Sequence, residues 1–270
     1  MIKLIAIDLD GTLLRDDKTI SEANASTIRK AVEAGIEVVI CTGRPIEGIQ
    51  FALDRFNMNT AKHFSITYNG GLVLHNDSRE IISETIMTTA DVLRIYDMMY
   101  GLDLPIDAVD IDTVHRLNYP KDWPGHYDQQ MPFLPFVPFD LDAVGMDHHF
   151  YKTVTNTPKE HIEDQLSDLP DWLYQDYSVM RSHGHQLEVM PKGVDKGQGL
   201  AALAKYLKID VSEVMAIGDE ENDKAMLQWA GTAVVMANGN EAIKKYADYI
   251  TKSNMDDGVA HAIEELVLKS

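Results

Sequence analysis

Short apolar runs that stop at an acidic or turn residue occur at both ends of this chain, each followed by a helical pattern, and few folds accommodate that rhythm. The first run, Ile2 to Leu9, reads as a buried strand closed by Asp10-Gly11. Ser21 then stands as N-cap of a helix with Ile28, Ala31 and Val32 on one face, and Gly35 takes the position after its end. The strand Ile36–Cys41 follows, then Thr42-Gly43-Arg44-Pro45 and a helical stretch to about residue 56. A β-α-β unit of this kind implies parallel strands joined by a right-handed crossover. The pattern returns near the C-terminus. A helix over about 196–207 precedes the strand Val214–Ile217, the loop Gly218-Asp219-Glu220 and a helix through Met226 and Leu227. A strand at Thr232–Met236, a helix near 242–246, a short strand at Tyr249–Thr251 and a helix from Gly258 complete it.

Between these ends the sequence changes character. Thr88-Thr89-Ala90-Asp91 resembles a capping box before a helix with Val92, Ile95 and Met99 inward. Strand-like segments follow near 105–117 and 149–155, then a helix after Pro158 and two strands flanking His183-Gly184. Five of the ten prolines fall within 120–138, which marks an irregular excursion. The expectation is an α/β core domain over 1–82 and 187–270, with an α+β domain over 83–186 inserted into it.

Composition limits the partners. A formal net charge of −19 opposes binding to nucleic acid or to an anionic membrane, both of which call for a basic surface. An anionic substrate would have to be neutralised locally, by a metal or by a few cationic residues. Cys41 is the only cysteine, so no intrachain disulfide can form, and its place at the end of an apolar run suits a buried thiol. Met1 to Leu9 is too short for a signal segment, and no apolar stretch reaches transmembrane length, which fits a reducing cytoplasm.

Four short segments carry candidate chemistry. In Asp8-Leu9-Asp10-Gly11-Thr12 the two carboxylates, two residues apart in extended chain, share a face. A turn signal alone accounts for Asp10, but it leaves Asp8, a charge at the end of a buried strand, unexplained. Thr42-Gly43-Arg44 follows the second strand, where ligands of open α/β sheets bind, and a hydroxyl beside backbone N–H groups there can hold phosphate oxygens; a plain turn before a helix fits equally well. Lys196 opens a helix against the dipole, which calls for an anionic partner, either a distant group, Asp195 or solvent. Gly218-Asp219-Glu220-Glu221-Asn222-Asp223 clusters carboxylates at another strand end, as a hard cation such as Mg²⁺ requires. Complementing a helix dipole explains Glu220 and Glu221 without needing Asp219. His183 and His185 lie two apart on an expected strand, and His148-His149 precede another. No cysteine or acidic partner at ligand spacing accompanies them.

In order and register, these segments resemble the four motifs of the haloacid dehalogenase-like phosphatases. More narrowly, the whole chain is similar to the Cof-type sugar-phosphatase branch, and Asn69-Gly70-Gly71 and Met236-Ala237-Asn238 also look like features of that branch. The resemblance implies a Rossmann-like doubly wound parallel-sheet core with the inserted domain as a cap. It implies a Mg²⁺-dependent phosphatase of small phosphorylated metabolites, sugar phosphates first among them. Asp8 would be nucleophile and metal ligand. Asp10 would be general acid and base, with its backbone carbonyl on the metal, and Asp219 a further metal ligand. Leu9 and Gly43 through their backbones, with Thr42, Lys196 and Asn222, would hold the phosphoryl group. Asp223 would sit behind the metal ligands and order waters, and Arg44 is either a helper or a surface residue. The branch often carries a small neutral residue where Asp195 stands, so Asp195 could pair with Lys196. The inserted domain would act as a lid. A phosphomutase on the same fold and a non-catalytic phosphate-ligand binder are the alternatives. A dehalogenase suits Asp10, Asp219 and Lys196 less well, a receiver module is about half this length, and dinucleotide and P-loop fingerprints are absent.

Overall fold

The computed structural model describes residues 1–269, with Ser182 and His183 in backbone only. The chain divides into two compact units, residues 1–84 with 195–270 and residues 85–194. Before the insertion run β1 (Leu4–Ile7), β2 (Glu37–Cys41), β3 (Phe64–Thr67), β4 (Leu72–His75) and β5 (Ile81–Glu84). The second unit holds β6 (Asp107–Val109), β7 (Val114–Arg116), β8 (Phe136–Pro138), β9 (Lys152–Asn156), β10 (Tyr177–His183) and β11 (Gln186–Pro191). β12 (Val214–Gly218), β13 (Thr232–Val235) and β14 (Tyr249–Ile250) return to the first.

The first unit is built on an eight-stranded sheet in the order β14-β13-β12-β1-β2-β3-β4-β5. All neighbours from β14 to β3 are parallel, while β4 and β5 extend the edge antiparallel. β1 lies between β12 and β2 and is wholly buried, which is why its sequence is an unbroken apolar run rather than an alternation. Leu4 and Ala6 join Val39, Cys41, Val214, Ala216, Leu200 and Leu203 in one core cluster, so the helix Lys196–Leu207 covers that face of the sheet. Each fully buried leucine or isoleucine there contributes about 1.5–3 kcal/mol, which makes β1 the anchor of the unit. Cys41 sits in this cluster, and burial pushes its thiol up, as suits an inert core residue. Ser21 caps the helix Glu22–Glu33 by accepting from the Asn24 N–H, and Gly35 follows that helix at a φ of +85°.

The second unit carries a six-stranded sheet in the order β10-β11-β9-β6-β7-β8, antiparallel except for β7 with β8. Its apolar face packs Ala108, Leu187 and Val189 against Val92, Ile95 and Met99 of the helix Thr89–Gly101, which opens with the Thr88–Asp91 capping box. Its other face is polar. Glu188 of β11 alternates with Leu187 and Val189 and forms a buried ion pair with Lys152 of β9. The proline-rich 120–138 stretch contains one helical turn, Tyr127–Gln130, and the edge strand β8, where Pro138 has no ladder bond to lose. The chain returns to the first unit at Asp195, later than residue 187. β11 belongs to the second sheet, paired with both β9 and β10.

Candidate active site

Parallel strands in register bring their ends together about 4.8 Å apart, and β1 and β12 are paired with Ile7 opposite Ile217. Asp8 continues the ladder by donating its N–H to the Ile217 carbonyl at 2.9 Å. Asp219 leaves the end of the neighbouring strand. The two carboxylates, far apart in sequence, are therefore neighbours by topology. One oxygen from each of Asp8, Asp219 and Asp223 lies within 4.8 Å of the others, and all three residues are buried.

Lys196 is the first residue of its helix and has no exposed surface. Its Nζ donates to Asp8 Oδ1 at 2.5 Å and to Asp223 Oδ1 at 2.6 Å. Burial alone would lower the ammonium's pKa, but Asp223 and Asp8 raise it, so the lysine stays charged. Asp195 does not pair with it. The Asp195 carboxylate caps the helix, accepting from the Gln198 N–H at 2.8 Å, because an N-cap side chain turns toward the free N–H groups of the first turn.

Asp223 is tied on both oxygens. Oδ1 faces Lys196, while Oδ2 accepts from the Asp219 N–H at 2.8 Å and the Glu220 N–H at 3.0 Å. It thus fixes the loop that presents Asp219 as well as the lysine. Thr12 donates its hydroxyl to Asp219 Oδ1 at 2.7 Å. A Cβ on Gly11, whose φ is +84°, would fall 2.3 Å from Asp219 Oδ2, so only glycine admits that carboxylate.

The electrostatics are those of an anionic site with one cation. Burial, then Asp223 and Asp219, raise the Asp8 carboxyl well above the usual range against the opposing pull of Lys196. Burial, with Asp223 and Glu220, pushes Asp219 up to about 6 despite the Thr12 hydrogen bond. One lysine among three carboxylates leaves a formal charge of about −2, which one divalent cation cancels. The oxygen-only donor set fits a hard ion of the magnesium kind.

Asp10 is turned elsewhere. Its carboxylate takes Arg44 Nε at 2.8 Å and Nη2 at 2.7 Å as a bidentate pair, and Lys18 Nζ at 2.9 Å. Burial works the other way, yet Arg44 and Lys18 hold its pKa below the usual value. Arg44 is therefore a partner of Asp10, not a free surface residue. The Asp10 carboxylate is not among the three clustered ones. Leu9 buries its side chain completely, leaving only its backbone for a ligand.

Thr42 follows β2, the other parallel neighbour of β1, and its hydroxyl accepts from the Arg44 N–H at 3.2 Å. A Cβ on Gly43 would come within 3.0 Å of the Asn69 amide. Asn69 Oδ1 accepts from Asn222 Nδ2 at 3.3 Å, which joins the second and fourth segments. Asn69 adopts a φ of +54°, a conformation asparagine tolerates better than most residues. Two contributors carried no assigned role in the sequence reading: Thr12 and the link through Asn69. For Asn69, the signal was the Asn-Gly-Gly run itself.

Comparison with known proteins follows the same lines. A family model described as haloacid dehalogenase-like hydrolase matches residues 5–263. A provisionally named phosphatase of Streptococcus pyogenes is 38% identical over 279 residues, covering 99% of each chain. A 5-amino-6-(5-phospho-D-ribitylamino)uracil phosphatase of Bacillus subtilis is 30% identical, covering 99% of this chain and 96% of its own. Among solved structures, a haloacid dehalogenase-like hydrolase from Bacteroides thetaiotaomicron superposes with a TM-score of 0.86 at 31% identity, over 98% of this chain and 100% of that one. No helix among the described residues is long and apolar enough to cross a membrane.

Proposed function

The chain belongs to the haloacid dehalogenase-like hydrolase family and is a phosphatase of it, and from that premise we propose that it hydrolyses small phosphate monoesters through an aspartyl-phosphate on Asp8. The observation that carries the assignment is Lys196, a fully buried ammonium bridging Asp8 and Asp223 beside Asp219. A phosphate ester is a dianion, so an attacking carboxylate needs its own charge and the substrate's offset, and phosphoryl transfer depends mainly on such positioning and electrostatics. Asp8 and Asp219 with the Asp10 carbonyl would hold Mg²⁺, which when bound offsets negative charge on the phosphoryl oxygens.

The remaining steps belong to the chain itself. An oxygen of Asp8 bonds to phosphorus as the ester P–O bond breaks, and Asp10 delivers its proton to the departing alkoxide. Asp10 then takes a proton from water, whose oxygen attacks phosphorus and releases Asp8 and inorganic phosphate. In the conformation observed Asp10 is held ionised by Arg44, so that proton relay requires its carboxylate to leave Arg44. Lys196, Thr42, Asn222 and the N–H groups of Leu9 and Gly43 would keep the phosphoryl oxygens in line.

For the substrate we favour sugar and polyol phosphates. The second unit contains a cavity of about 390 Å³ lined by His126, Gln129, Gln130, Asn156, Thr157, Pro158 and His185, a mainly apolar surface carrying several groups able to hydrogen-bond hydroxyls. The Bacillus relative's name specifies a ribityl phosphate. The test is phosphate release from a panel of phosphorylated sugars, polyols, nucleotides and cofactors, with Mg²⁺ and with a chelator. Asp8→Asn should keep the fold and lose turnover. Metal-independent release, or turnover by Asp8→Asn, rules the mechanism out.

A further inference from the structure

A second constellation, within the inserted unit, shares no residue with the cluster around Asp8. The β6–β7 hairpin places Asp110 at its turn and His115 on its returning strand, opposite Ala108. His148 reaches the same point from the segment before β9. Asp110 Oδ1 is occupied by the hairpin itself, accepting from the N–H groups of Asp112 at 3.1 Å and Thr113 at 2.7 Å. Its Oδ2 faces two imidazoles, with His115 Nε2 at 2.8 Å and His148 Nε2 at 2.9 Å.

We propose that Asp110, His115 and His148 bind a divalent cation of the zinc class. The donor set is two imidazole nitrogens and one carboxylate oxygen, which suits zinc and its neighbours and is unlike the all-oxygen cluster around Asp8. Bonds of roughly 2.0–2.1 Å place tetrahedral ligands about 3.3 Å apart. The two carboxylate–imidazole separations are shorter by about half an ångström, a gap that small ring rotations open. The rings are already oriented, His115 edge-on to Phe150 at 5.5 Å between centroids and His148 to the same ring at 4.7 Å. His115 Nδ1 is buried without a hydrogen-bond partner among the described residues, so this is not a core histidine satisfied at both nitrogens. His148, one-third exposed, leaves a side open for entry and for a water as fourth ligand. No short sequence spacing announces the site, because its three ligands come from a turn, a strand and a segment 33 residues further on.

The test is zinc binding by the full chain after chelator treatment, in excess Mg²⁺, followed by metal analysis after dialysis and by the visible spectrum of a Co²⁺ substitute. One equivalent should bind, and should bind equally in Asp219→Asn, which cripples the other cluster. His148→Ala and Asp110→Asn should each weaken binding at least tenfold. The first alters a partly exposed ring, and the second keeps the Oδ1 that organises the turn, so both variants should retain the parent's circular dichroism spectrum. Absence of bound zinc overturns the proposal, and so does binding that survives both substitutions.

Discussion

Lys196 opens a helix where the dipole disfavours a cation, and it is buried completely, so its stability depends on Asp8 and Asp223. Removing one partner of a buried ionic group strands the rest, at a cost of about 3–5 kcal/mol. Lys196→Met should therefore lower stability by that amount in urea unfolding while reducing turnover below detection. A variant that unfolds like the parent would show the lysine to be dispensable to the charge balance. At this scale the sequence was informative wherever a charge broke a hydrophobic rule. Asp8 ends a buried strand and Lys196 begins a helix, and both demanded a partner before one was known. It was silent where partners are remote and individually ordinary. Nothing in the spacing couples Asp10 to Arg44, and nothing marks Thr12 as the residue that holds Asp219.

At the scale of elements, the helix Lys196–Leu207 separates two neighbouring residues by role. Asp195 caps it and Lys196 serves the cluster, so Asp195→Ala should cost about 1 kcal/mol of stability with no change in phosphate affinity. Tighter phosphate binding by that variant would revive the Asp195–Lys196 pairing that the geometry rejects. In the second sheet, Asp107 of β6 lies on the polar face, almost fully buried, taking a hydrogen bond from the Tyr119 hydroxyl at 2.7 Å with Arg116 Nε only at 3.8 Å. Burial pushes its carboxyl up to about 6, more than Tyr119 and Arg116 pull it down. A carboxyl with its pKa raised in the fold stabilises the protein below its unfolded pKa, and that contribution is lost as pH rises from about 4 to about 6. The loss approaches 3 kcal/mol at about 1.4 kcal/mol per unit. Asp107→Asn should thus match the parent near pH 4 and exceed its stability near pH 8. A constant difference across that range, measured by denaturant midpoint, contradicts the buried-carboxyl account. Strands were legible where they were buried on both faces, as β1 and β12 are. β3, β4 and β5 escaped because Ser65, Thr67, Ser83 and the Asn-Gly-Gly turn break the apolar residues of 64–84 into pieces with neither an unbroken run nor an alternation.

The molecule as a whole combines an anionic body with a site that must accept an anion. Its two-unit plan was visible in the sequence because the β-α rhythm stops and resumes. The point of resumption was misjudged because Gln186-Leu187-Glu188-Val189-Met190 alternates as any half-buried strand does, and alternation does not say which sheet a strand joins. The net charge of −19 belongs to this scale as well. A phosphate dianion approaching such a body is repelled over a distance set by ionic strength, with a Debye length near 30 Å at about 0.01 M and near 8 Å at about 0.15 M. The attraction near Lys196 and a bound divalent ion acts at contact and inside a desolvated site, where salt screens little. Added salt should therefore remove the repulsion and leave the attraction, so kcat/KM for phosphate esters should rise several-fold between those two conditions at fixed free Mg²⁺. The same titration with a basic surface guiding the substrate would show the reverse, a fall with salt. A falling curve would mean that a local cationic approach outweighs the charge of the whole chain, and that this electrostatic description of the protein is wrong.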